Sequence, residues 1–206
     1  MAVAALGILL SAPALAETLR FDTSKYSQKP TGCDLLAAHP DDPSKVAPGV
    51  SQSAMDKPAA IAACEVAVAA DPENPRLRYQ LGRAYGYSGL GEKSYPHREF
   101  SIQAEYPQAL FVNGYMHMLG LNKAEKDACR AGELIRRSAQ YGRLAGQIGF
   151  PKWTLEGVFK GCPVKQDPAE LLSFLEAADA QTSDFYAEVA IDLLKQQVQS
   201  KMRKSK

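Results

Sequence analysis

Two stretches of this chain repeat one another, and a chain built of repeated helical units has few ways to bury itself. YQLGRAY (79–85) aligns with FVNGYMH (111–117), which sets Gly82 over Gly114. Ala69, Ala104 and Ala139 recur every 35 residues and are followed by the turns ADP, EYP and QYG. Both glycines fall inside predicted helices, where glycine costs about 1 kcal/mol relative to alanine. A close helix–helix crossing at each is therefore expected. A single helical hairpin cannot bury both of its faces, so such units stack, and the terminal ones need polar or covalent protection.

Periodicity and caps place the helices. Residues 17–56 are broken by Pro40, Pro43, Pro48 and Gly49 and leave room for one short helix near Cys33. Asp56 reads as an N-cap with Pro58 just inside, opening a helix that stops at Asp71-Pro72. Asn74-Pro75 opens the next, with Leu77, Leu81, Ala84 and Tyr85 on one stripe and a stop at Ser88-Gly89. Helices are then expected over Glu92–Ala104, with Pro96 in its first turn or delaying its start, over Gln108–Leu119, ended by Gly120, and over Lys123–Gln140. A short piece follows to Gly149-Phe150-Pro151, and one amphipathic turn holds Trp153, Leu155, Val158 and Phe159. Pro168 opens another helix and Ser183 caps the last. No segment alternates as a strand would, and Val, Ile and Thr are sparse beside Ala and Leu.

DPENPRLRYQLGRAYGYSG resembles the linker and first helix of a tetratricopeptide repeat. ALFVNGYMHMLG followed by DACRAGELIRRSAQYG resembles the related Sel-like repeat, with its A…G…G…A…A…G pattern. Asn113 stands where that family usually has Leu, Pro96 interrupts the first unit, and Phe150-Pro151 cuts the last one short. The resemblance implies an all-α, right-handed solenoid of α-α hairpins, with two good units, one degenerate unit and non-repeat capping helices. It also implies a concave face that binds a protein partner. The organisation expected is a leader at 1–16, an irregular segment at 17–56, repeats over 57–150, capping helices over 151–200 and a basic tail at 201–206.

The leader reads MAVAALGILLSAPALA: a short apolar run, a proline break and a small-x-small site before Glu17. This is a secretory signal in outline, too short to span a bilayer; a buried N-terminal helix is the alternative reading. Four cysteines in an exported chain suggest two disulfides, and four allow three pairings. Cys33–Cys64 with Cys129–Cys162 is favoured, since each pair closes a loop the size of one hairpin. Four reduced thiols are the alternative, and no CxxC or CxH spacing supports zinc. The compartment expected is a bacterial periplasm or the exterior.

Lys and Arg number 24 and Asp and Glu 23, a balance that argues against nucleic acid as partner. No GxSxG is present, the cysteines look structural, and no catalytic residue or cofactor is expected. His117 lies between Met116 and Met118 beside Tyr115, but consecutive helical side chains diverge, so no metal site is expected there. His39 and His97 are assigned no role, and Asp41-Asp42 and Glu170/Glu176 are read as solvated. The candidate protein-binding surface is the stripe Tyr79, Arg83, Tyr87, continued by Asn113 and His117 on the next unit, each set at i, i+4 spacing. Changing Tyr79 to Ala or Arg83 to Glu is expected to abolish partner capture and leave helicity unchanged. From Lys195 to Lys206 the chain is basic without an acid and suits either a helix end or weak contact with anionic lipid. The function expected is therefore non-catalytic scaffolding by a monomer in the cell envelope. A cell-wall glycan binder or hydrolase is the first alternative, and a small-molecule or metal carrier the second.

Overall fold

The computed structural model describes residues 19–204, so the leader expected at 1–16 lies outside the described residues. After a 3-10 turn at Thr23–Lys25 come α1 (Gly32–Ala37), α2 (Lys57–Ala70), α3 (Pro75–Tyr87), α4 (Gly91–Gln103) and α5 (Pro107–Leu119). They are followed by α6 (Ala128–Gln140), α7 (Leu144–Leu155), α8 (Pro168–Asp179) and α9 (Phe185–Lys204). Each helix packs on the next in the chain, and among the described residues no strand interrupts the series. No helix there is long and apolar enough to cross a membrane.

Local chemistry explains the boundaries. The Asp56, Asn74 and Asp167 side chains accept first-turn N–H groups from Ala59, Arg76 and Ala169, and a proline stands at the start of each of these helices. Gly120 closes α5 with φ of 72°, where a side chain would be strained. The start of α6 is Ala128 rather than Lys123. The Asp127 carboxylate accepts from both Cys129 N and Arg130 N, and Asn122 and Lys123 just upstream are held at positive φ. α7 continues through Pro151, because Phe150 packs on Phe159 and Phe174 at ring distances of 5.6 and 6.2 Å and holds that helix together. Pro96 likewise lies inside α4, in its second turn, where it leaves only the exposed Glu92 carbonyl without a helical donor. At α9 the side chain that accepts from the first turn is Asp184, bonded by Ala187 N at 2.9 Å, and not Ser183.

The pairs α3–α4 and α5–α6 repeat one another in their bonds. In each, a serine of the second helix donates to the carbonyl of the proline that opens the first: Ser101 to Pro75 at 3.1 Å, Ser138 to Pro107 at 2.9 Å. The two glycines mark the crossings. A Cβ on Gly114 would stand 2.6 Å from Ile135 Cγ1, and one on Gly82 would stand 3.4 Å from Arg98 Cγ. The glycine spacing is thus the structural register. The alanine spacing is not, since Ala104 follows α4 as its cap while Ala69 and Ala139 lie within α2 and α6. The link between the helices of a pair grows from residues 88–90 in the first to residues 120–127 in the second.

Two disulfides join Cys33 to Cys64 and Cys129 to Cys162, tying α1 to α2 and α6 to the segment before α8. Loops of this size contribute about 3–4 kcal/mol each by restricting the unfolded chain. Such bonds persist in oxidising compartments.

Candidate partner-binding face

The predicted stripe lies on α3 and α5, the first helices of the two repeating pairs, and the N-terminal segment lies across them and the start of α7. Asp34 on α1 is fully buried and receives Arg76 Nε at 2.8 Å, Gln80 Nε2 at 3.0 Å and the Thr31 N–H. Burial alone would push this carboxyl up, but the bonds from Arg76, Gln80 and Thr31 outweigh it and hold it below the usual range. Arg76 also donates to Ser27 O at 2.9 Å. Further along, Asp42 is fully buried rather than solvated and accepts the Tyr106 hydroxyl at 2.6 Å. Burial raises its pKa against that bond and the Ser44 N–H. Phe21 meets the edge of Tyr106 at 5.3 Å, and Leu19 N bonds Gln140 O. Residues 19–56 therefore form a strap over α3 as far as Arg83, over the start of α5 and over the start of α7, where Arg143 reaches within 4.0 Å of Asp41.

The predicted site residues fall on both sides of the strap's edge. Tyr79 is 3% exposed, packed on Tyr106 at 5.8 Å with its hydroxyl accepting from Gln108; burial raises its pKa well above the usual value. Arg83 is 7% exposed and donates to the carbonyls of Ala37, Ala38 and Val50 at 2.9, 3.2 and 2.7 Å, so its hydrogen bonds are spent on the strap. Its guanidinium lies 5.0 Å from the centre of the half-buried Tyr87 ring. Asn113 is buried and donates back to Ala109 O. Tyr79, Arg83, Tyr87 and Asn113 line one small cleft of about 20 Å³ with Val112 and Met116. That is room for about one water molecule. His117 stands apart, its Nδ1 2.9 Å from Glu125 O.

Beyond the strap Tyr87 at the end of α3, Phe111 to Leu119 along one side of α5 and the last turn of α7 stay partly open, and most of the side chains there lie outside the predicted stripe. Phe111, Tyr115 and Trp153 stack on one another at ring distances of 6.0–6.5 Å, bridging α5 and α7. Tyr115 is 40% exposed. Arg143 lies 5.6 Å over Phe111 and Lys152 5.9 Å over Trp153. With Tyr87, Val112 and Met116 this makes a continuous half-buried band across α3, α5 and α7. Phe111 and Tyr115 at i, i+4 are the available sequence signal; Trp153 gives none, because the pattern of local breakers ends that helix at Pro151.

Among the described residues no group of His, Cys, Asp and Glu converges in a way that could hold a metal ion. His39 accepts the Asp41 N–H, and burial, assisted by Arg83, pushes it down to about 4. His97 lies beside Arg78 and is lowered by burial. Glu170 is buried rather than solvated, and is bound by both Arg136 Nε and Nη2, at 2.9 and 2.7 Å. Compared with protein families, curated proteins and solved structures, the chain matches none.

Proposed function

We propose that this chain is an exported, non-catalytic scaffold of tetratricopeptide or Sel-like character. It holds a protein partner on the open band of α3, α5 and α7. The observation that carries this reading is the band itself: Tyr87, Met116, Tyr115, Phe111 and Trp153, from three consecutive first helices, left half-exposed by a fold that buries its other large aromatics near them. Aromatic and methionine side chains with arginine beside them are enriched in recognition surfaces. Pairs that repeat their bonds, and two disulfides placed toward the two ends of the series, fit an envelope solenoid. Arg83 and Tyr79 support the surface from within.

The test is affinity capture from envelope extract of the source cells with the chain from Glu17 onward, beside a Tyr115→Ala/Trp153→Ala variant. The reading expects one protein retained by the wild type in high salt and lost by the variant at unchanged helicity. Equal retention by both would move the partner to another face. Binding of purified peptidoglycan by the wild type alone would replace a protein partner with a glycan on the same band.

A further inference from the structure

The small cleft beside the band has an unusual electrical setting. Arg83 and Arg98 both line it, are 7% and 5% exposed, and come from different helices. Among the described residues neither has an ion-pair partner. Arg83 donates only to carbonyls and its Nε has no acceptor, while Arg98 donates to Met116 Sδ at 3.0 Å and Asn122 O at 3.1 Å. The other lining residues include two amides, Asn113 and Asn122, and no carboxylate. Glu99 acts on Arg98 only at longer range, so two nearly buried cations with no contacting carboxylate give the cleft a positive potential, reinforced by walls of low dielectric. Inside, Tyr87, Val112 and Met116 give an apolar seat with room for about one methyl group.

One wall of this cleft belongs to the segment that distinguishes the second helical pair from the first. Residues 120–127 replace the short turn at 88–90, and they bring Asn122 against Gly86, where an added Cβ would meet Asn122 Nδ2 at 3.4 Å. Asn122 and Lys123 stand consecutively at φ of 50° and 65°, a left-handed backbone that side chains rarely adopt. The inserted loop thus holds a strained backbone while closing the cleft and accepting from Arg98.

We infer that this cleft is the anchor pocket of the partner site. It receives one short apolar side chain from a linear segment of the partner, with an acidic residue next to that anchor facing Arg83 and Arg98. The inference rests on the partner reading of the band and adds the class of sequence that the partner presents.

The probe is a displayed library of random short linear peptides selected on the chain from Glu17 onward, with the winners synthesised and their affinities measured. The expected winners carry Asp or Glu beside Ala, Val or Pro. Exchanging that acid for its amide weakens binding about fivefold, and so does raising the salt. Gly86→Ala fills the cleft with one methyl group at a helical position that favours alanine. It is expected to weaken the peptides about fivefold or more with melting unchanged or raised. Val112→Phe fills it further, and its melting curve is recorded beside it. Winners without an acid, or winners that bind Gly86→Ala and Val112→Phe like wild type, overturn the anchor pocket. If those same winners are lost on Tyr115→Ala, the band stands and only the pocket falls. Winners indifferent to all three substitutions overturn both.

Discussion

Single residues in this protein do most of their work by tying irregular backbone to helices. The Asp34–Arg76 pair is the clearest case: both groups are buried, and Gln80 and Thr31 complete the carboxylate's bonds. Removing one partner leaves an uncompensated charge in the interior. Arg76→Met is expected to cost about 3–5 kcal/mol in urea unfolding, while an exposed pair such as Lys152–Glu156 contributes under about 1 kcal/mol. His39 gives a pH signature. Its folded value of about 4 lies below the ordinary 6.5, so between those values the unfolded chain binds a proton that the folded chain refuses. Stability from this residue is complete above pH 6.5 and is lost as the pH falls toward 4. Asp42, shifted upward, acts in the opposite sense, so the wild type alone does not isolate the effect. The difference between wild type and His39→Asn, which keeps an acceptor for the Asp41 N–H, is expected to shrink over that window by about 2 kcal/mol. A difference that is flat with pH would mean that His39 is not held neutral.

At the scale of helices, the glycine register makes a sharper claim than the helix boundaries. A methyl group added at Gly114 would meet Ile135 Cγ1 at 2.6 Å and Ala131 O at 3.1 Å, whereas one added at Gly82 would meet nothing nearer than 3.4 Å. Gly114→Ala is therefore expected to destabilise by about 1–3 kcal/mol despite alanine's helix propensity, and Gly82→Ala to be neutral within about 1 kcal/mol. Chemical denaturation of the two variants decides it; equal effects would deny the close crossing of α5 on α6. These glycines, the caps at Asp56 and Asn74 and the cysteine pairing are legible in the sequence, because each is a local signal with a fixed geometric meaning. The passage of α7 through Pro151 is not. The aromatic packing of Phe150 on Phe159 and Phe174 is non-local, and it outweighs a single missing N–H.

Across the whole molecule, the strap decides which part of the repeated face is available. Its residues have no periodicity, and they attach through scattered carboxylates and backbone carbonyls that distant side chains reach, so nothing in residues 19–56 announces where they lie. For the same reason Tyr79 and Arg83 are legible as one face of α3, but their cover is not. Tyr87, at the edge of the strap, and the Phe111–Tyr115–Trp153 cluster beyond it remain open. The Cys33–Cys64 disulfide pins the strap at α1. Cys33→Ala/Cys64→Ala is expected to cost about 3–4 kcal/mol in thermal or urea unfolding and to raise amide exchange first in residues 27–50. Uniform exchange across the chain would show instead that the strap is no separate unit. The measurement that bears most directly on partner binding by the open band is hydrogen–deuterium exchange of the chain free and bound to its captured protein. New protection is predicted at the C-terminal ends of α3, α5 and α7, with exchange in residues 27–50 unchanged. Protection confined to α8 and α9, or a strap that becomes exposed as the partner takes its place on Tyr79 and Arg83, would contradict it.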